Sequence, residues 1–190
     1  MSSFLSIPNP DAARRLFLGR SGLLLSGAAV ALLAGHDVLA AKSGGSKAGD
    51  VQILNTALGA ELEAIAAYQV GAESGLLQKG VLDLAVQFQG HHKEHADLLA
   101  KTVHKLGGKP VIAKSKYSFP VEGLKNQADV LRFAAKLEQG AVSAYLGAVP
   151  LFGNRDLSKA AASILGDEAM HWAVLRNALG ENPVPVAFVA

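Results

Sequence analysis

The sequence predicts an all-helical fold: a four-helix bundle with one long crossover between its second and third helices. Half of the residues are hydrophobic but only 6% are aromatic, and the apolar content is largely alanine and leucine, which favour packed helices over sheets. Four separate stretches repeat apolar residues at helical steps. Between the second and third lies a segment with prolines, glycine and no sustained period, far longer than a tight antiparallel turn requires.

Length and charge narrow the class. The 190 residues are enough for one ordinary core once a leader is set aside. Before Ala41 there are three basic and two acidic residues, and from there on fifteen basic against fourteen acidic, so the domain itself is close to neutral. No long basic run or basic face with aromatics occurs, which argues against a nucleic-acid partner. The chain has no cysteine. Disulfides, thiolate metal sites and a lipid-modified cysteine are therefore excluded, and any metal ion must be held by oxygen and nitrogen.

Residues 1–40 read as an address rather than as part of the fold. Arg14-Arg15 is followed by Leu16-Phe17-Leu18, then by a mildly apolar run from Gly22 to Gly35 and by small residues around Val38-Leu39-Ala40. The apolar run is too short and too mild for a stable membrane span but suits a signal peptide cleaved after Ala40 or Ala41. The arginine pair resembles the twin-arginine motif. That resemblance implies the twin-arginine export machinery as a partner, a periplasmic or otherwise exported location, and movement of the protein already folded. An amphipathic helix or an uncleaved anchor is the plainer alternative. Residues 41–49, rich in Gly, Ser and Lys, are expected to form a flexible linker, with the bundle spanning 50–180.

The first helix is expected from Val51 to about Ser74, with Leu54, Leu58, Ile65 and Ala72 inward and Gly75 ending it. The second runs from about Leu77 to Leu106, with Leu84, Phe88, Leu99 and Leu106 inward and Gly107-Gly108 before Pro110 as the stop. After the crossover, the third, about Asn126 to Val149, turns Leu131, Ala134, Val142 and Val149 inward and closes at Pro150. The fourth, about Leu157 to Leu179, buries Leu157, Ala161, Leu165, Leu175 and Leu179, with Gly180 as cap and Pro183 and Pro185 beyond. Residues 181–190 are expected to be an extended tail. Trp172 and Phe88 read as core, and Lys109, Lys114 and Lys116 as a solvated face.

Each inward stripe is interrupted by polar residues where a simple bundle would continue with leucine. A buried carboxylate costs several kcal/mol unless it is paired, hydrogen-bonded or bound to a cation. Glu61 and Tyr68 interrupt the first stripe, and Glu138 and Tyr145 the third, each pair seven residues apart. Seven residues rise about 10.5 Å, and helical side chains lean toward the N-terminus, so each tyrosine points back toward its glutamate's level without a guaranteed contact. His92 and His95 on the second helix, and Glu168 and His171 on the fourth, are three apart and share a face. Gly90 to Leu99 laid beside Gly166 to Leu175 brings Gly, His and Leu into register, and Glu61 to His92 spans 31 residues where Glu138 to Glu168 spans 30. The chain is thus an internal repeat of two helix pairs, which would enclose a pseudo-two-fold site.

The two Glu-x6-Tyr elements, the Glu-x-x-His of the fourth helix and the crossover resemble the ferritin-like di-iron carboxylate superfamily, in particular its exported bacterial members, over residues 51–180. That resemblance implies one glutamate from each of two helices and a Glu-x-x-His from each of the others. Carried over, it makes Glu61 and Glu138 the single carboxylates, Glu168 a bridging one and His95 and His171 the imidazole ligands. Tyr68 and Tyr145 become donors that orient carboxylates. His92 departs from the pattern, standing where the family has its other bridging glutamate. Three carboxylates and three histidines carry one negative charge fewer, which opens the site to one tight ion, a mixed pair, or zinc or copper in place of iron or manganese. Glu94 cannot replace the missing carboxylate directly, because it lies about 200° around the helix from position 92. A register change could instead use His91 and His95 with Glu94 beside them.

A single glutamate or histidine in an apolar stripe is more often a structural partner than a ligand, and either tyrosine alone would pass as ordinary packing. Here four helices carry them in matching phase, and four of the six histidines fall in two short motifs. The leading expectation is a pair of iron or manganese ions reacting with oxygen or peroxide. The second is a non-catalytic, metal-sequestering or stress-protective bundle with one zinc or copper ion. The third is a partner-binding helical module without metal. No substrate pocket, catalytic residue or oligomeric state is readable from the sequence.

Overall fold

The computed structural model describes residues 46–189, and the leader and most of the linker lie outside the described residues. Among the described residues four helices make the architecture: α1 Lys47–Glu73, α2 Lys79–Lys105, α3 Gln127–Ala148 and α4 Arg155–Ala178. Short 3-10 turns at Val121–Gly123 and Val149–Leu151 lie in the crossover and after α3. There is no strand among the described residues, and none of their helices is long and apolar enough to cross a membrane.

The helix ends have local causes. Ser46 accepts a hydrogen bond from the Gly49 amide at 3.1 Å, so α1 begins at Lys47, and the last residues of the expected linker are its first turn. Asn126 and Asn154 cap α3 and α4 in the same way, each through its side-chain oxygen. Gly75, Gly107 and Gly180, just beyond α1, α2 and α4, have φ of 70°, 78° and 74°, the left-handed conformation that stops a helix at least cost. Gly108 is small for another reason: a Cβ there would stand 2.6 Å from Val51 Cγ1.

α1 pairs with α2 and α3 with α4, as two hairpins. Tyr68 meets Glu138 and Tyr145 meets Glu61, so α1 and α3 run antiparallel. It follows that α2 and α3 point the same way, and the chain must return along the bundle between them. The crossover is pinned at its start by Asn55, which donates to the Lys109 carbonyl at 3.0 Å and accepts from the Val111 amide at 2.9 Å. Asp50, buried in the first turn of α1, accepts from the Gly153 amide at 2.8 Å and ties the two hairpins together.

Two apolar clusters fill the interior. One contains Leu54, Leu58, Leu99, Val103, Leu157 and Ile164, and the other Tyr68, Phe88, Leu131, Ala135 and Leu175. Nine of the seventeen expected core positions are fully buried, while Ile65, Ala72, Leu84, Leu106, Ala134, Val149, Leu165 and Leu179 are half-buried at the rims. Phe88 is core. Trp172 is half-buried, with the Arg176 guanidinium over its ring at 5.6 Å. Lys109, Lys114 and Lys116 are exposed, and the tail is irregular and largely exposed.

Candidate metal centre

Between the two apolar clusters lies a polar layer to which all four helices contribute. Glu61, His92, Glu138, Glu168 and His171 are each 3% exposed or less, and His95 is 14% exposed. All six residues that the sequence singled out as candidate ligands come together here. They form two overlapping tetrads, Glu61, His92, His95, Glu168 and His92, Glu138, Glu168, His171, in each of which the donor atoms lie within 4.8 Å of one another.

The geometry repeats about the pseudo-two-fold. Glu168 faces His95 Nδ1 with Oε1 at 3.2 Å and His171 Nδ1 with Oε2 at 3.4 Å, the placement of a carboxylate that can serve two ions at once. His92 occupies the opposite side, with Nδ1 2.8 Å from Glu61 Oε2 and Nε2 3.3 Å from Glu138 Oε1. In place of a second bridging carboxylate, this chain thus spans the two single glutamates with an imidazole. A neutral imidazole has one free lone pair, so His92 can complete either tetrad but not both.

The tyrosines pair crosswise. Tyr145 donates to Glu61 Oε1 at 2.5 Å, and Tyr68 donates to Glu138 Oε1. Each hydroxyl serves the glutamate of the other hairpin, because a rise of about 10.5 Å separates it from its own, whereas the antiparallel partner brings the other to its level. Burial and the neighbouring carboxylates hold both phenols well above their ordinary value, so they remain donors.

Charge in the layer is mutually arranged. Burial alone would depress the histidines, but the carboxylates outweigh it. Glu138 and Glu61 raise His92 to about 11, Glu168 and Glu61 raise His95 to about 9, and Glu138 and Glu168 raise His171 to about 9. Burial pushes Glu61 and Glu138 upward as well, yet the facing histidines hold both below the usual carboxylate range. Burial prevails at Glu168, lifting it to about 7 against the pull of His171 and His95.

This pairing leaves ligand atoms over. His95 Nδ1, His171 Nδ1, Glu138 Oε2 and both oxygens of Glu168 are buried without a hydrogen-bond partner. Buried polar atoms are nearly always satisfied, and these five belong to four of the six candidate residues in one layer. A cation between them would satisfy the group at once, so the residues present fit a metal site of oxygen and nitrogen donors.

The alternative built on Glu94 does not form, since Glu94 is exposed and belongs to none of the clusters. His91 does approach the layer, but its acidic companion is Asp167, at 3.1 Å. Asp167 was missed by the sequence reading, although it stands at the repeat position of His91, one residue before Glu168, where register could have found it. Phe88 also carries more than packing, stacking on the His171 ring at 3.9 Å between centroids. Beside Tyr68 there is an apolar cavity bounded by Gly71, Val81, Leu84, Val130 and Leu131, a pocket that no linear pattern announced.

A four-helix bundle enclosing a buried layer of paired glutamates and histidines defines the class: a helical carboxylate–histidine protein whose layer could hold metal ions. Residues 49–181 match the family described as the ferritin-like domain, and the chain belongs to that family. Among solved structures it is similar to a conserved hypothetical protein from Mycobacterium tuberculosis, with a TM-score of 0.65 and 24% identity over 75% of this chain and 99% of that one. That likeness bears on the fold alone. No curated protein matches the sequence.

Proposed function

We propose that this protein is an exported ferritin-like oxidoreductase or metal-oxidising protein whose polar layer holds two iron or manganese ions. The observation that carries the reading is the set of five buried ligand atoms that make no hydrogen bond, arranged on two tetrads that share Glu168 and His92. Such a pair, when bound, supplies the redox capacity to oxidise ferrous iron or a small organic molecule with oxygen or peroxide. The chain's own contribution is positional. Glu168 offers one oxygen to each tetrad, Glu61 and Glu138 close the two ends, and His95 and His171 offer Nδ1. Tyr145 and Tyr68 hold the end carboxylates in place by donating to one oxygen of each. The two apolar clusters limit access of bulk water, and the cavity beside Tyr68, with room for little more than a water-sized molecule, lies at the edge of the layer.

His92 supports a second reading. With one lone pair for two tetrads, it favours unequal sites, and a single zinc or copper ion held by Glu61, His92, His95 and Glu168 would make the protein a sequestering one. Metal content decides between them. Protein purified without chelator should carry nearly two iron or manganese ions per chain, lost in Glu168→Ala and in His95→Ala, and should consume oxygen on addition of ferrous iron. About one zinc or copper ion would favour sequestration. A stable bundle with no metal would overturn both.

A further inference from the structure

On the outer side of the layer, His91, Asp167 and His171 form a third cluster of possible ligands. His91 Nδ1 lies 2.9 Å from His171 Nε2 and 3.1 Å from Asp167 Oδ2, and His171 Nε2 lies 3.3 Å from the same Asp167 oxygen. Three donors on one first-row ion, with bonds of about 2.0 to 2.2 Å and angles between right and tetrahedral, stand about 2.9 to 3.5 Å from one another. The separations observed are those of the edges of such a polyhedron.

The repeat explains how the cluster arises. His91 and Asp167 each precede an inner residue, His92 and Glu168, by one position. One residue turns a side chain about 100° around a helix, away from the inner layer and toward the rim between α2 and α4. Accordingly their side chains are 35% and 21% exposed, whereas that of His171 is 2% exposed. His171 belongs to both levels: Nδ1 faces Glu138 and Glu168 inside, at 3.4 Å from each, and Nε2 faces Asp167 and His91 outside.

We propose that His91, Asp167 and His171 form an outer, solvent-reachable site for a divalent transition-metal ion, and that this site loads the buried centre. Two imidazoles and one carboxylate suit ions such as zinc, cobalt or ferrous iron. Neutral His171 has one lone pair for metal, so it holds an ion outside through Nε2 or inside through Nδ1, not both. This exclusion is what a hand-over requires. The loading role rests on the buried layer being a metal site, while the outer site does not.

Cobalt(II) tests both parts, because its visible absorption reports each ion bound. In the metal-free full chain, His91→Ala should reach the same final number of tightly bound cobalt ions as the wild type but fill them at least about tenfold more slowly in stopped flow, in line with the 10- to 100-fold losses seen on removing even groups that merely orient a ligand. In Glu61→Gln/Glu138→Gln, which weakens the inner tetrads and leaves the outer ligands untouched, one cobalt ion should still bind. That binding should disappear on adding His91→Ala or the shape-preserving Asp167→Asn. Loading of His91→Ala at the wild-type rate would overturn the loading role. Cobalt binding in the double variant that is indifferent to both outer substitutions would overturn the site itself. If wild-type protein took up no tight cobalt, the buried-centre reading would fail, and a single ion still dependent on His91 would uphold the outer site.

Discussion

At the scale of single residues, the polar layer is a set of charges that stabilise one another. Removing one member without its partner should therefore cost more than an ordinary surface change. Tyr145→Phe deletes the hydroxyl that serves Glu61 and leaves a buried carboxylate oxygen short of a donor, a loss of about 1 to 3 kcal/mol. Urea denaturation of the metal-free protein should show it, and Tyr68→Phe should behave alike through Glu138. The layer also sets a pH window. His92, at about 11, and His95 and His171, at about 9, bind protons more strongly folded than unfolded, so their contribution is complete below their ordinary value of 6.5 and is lost as pH rises through 9 and 11. Glu168, raised to about 7 from 4.5, acts in the same sense and loses its contribution as pH rises through 7. Glu61 and Glu138 are depressed and lose theirs as pH falls below 4.5. Metal-free protein should thus be most stable between about pH 4.5 and 6.5. Metal must displace the histidine protons, so the stabilisation that bound ion adds should grow from pH 6 to 9. Thermal unfolding with and without metal across that range checks both halves, and a metal-free protein most stable near pH 9 would contradict the charge arrangement.

Helices and their connections present a different balance. The glycines at the ends were readable because their mechanism is local, a positive φ just past the helix, whereas the caps Ser46, Asn126 and Asn154 were not singled out. The side chains that fasten one element to another were not readable, since Asn55 and Asp50 act on Lys109, Val111 and Gly153, far off in sequence. Asn55→Ala should free the start of the crossover, seen as faster proteolytic cleavage near residues 109–112, while the helical circular dichroism stays within a few per cent of the wild type. Gly108→Ala should be more damaging, because its Cβ would stand 2.6 Å from Val51 Cγ1. The overlap forces α1 and the end of α2 apart, with a loss of about 1 to 3 kcal/mol in denaturant unfolding. A neutral Gly108→Ala would mean that the close approach is not maintained in solution.

On the scale of the whole molecule, the proposed export would carry a bundle already closed over its own charged layer and tied across its hairpins by Asp50. The Arg14-Arg15 pair supplies the expected signal. Arg14→Lys/Arg15→Lys in the full chain should hold the protein in the cytoplasm, where cell fractionation would find it uncleaved, and equal export of both forms would remove the twin-arginine route. Metal is also expected to govern stability: at an ion concentration one hundred times the dissociation constant, binding adds about 2.7 kcal/mol. Chelation should lower the unfolding temperature, and Glu168→Ala should abolish the difference.

The sequence by itself determined the four helices, their glycine stops, the internal repeat and the six residues of the layer. Periodicity and capping act within a few residues along the chain, and a glutamate or histidine on an apolar stripe announces its own cost. Only the tertiary structure decided which tyrosine serves which glutamate, that His92 reaches both Glu61 and Glu138, and that His91 finds Asp167 rather than Glu94. These pairings depend on how antiparallel helices are set in register across the bundle. Partners 31 to 84 residues apart are neighbours in space alone, and a pattern read along a single helix carries no information about the helix it will face.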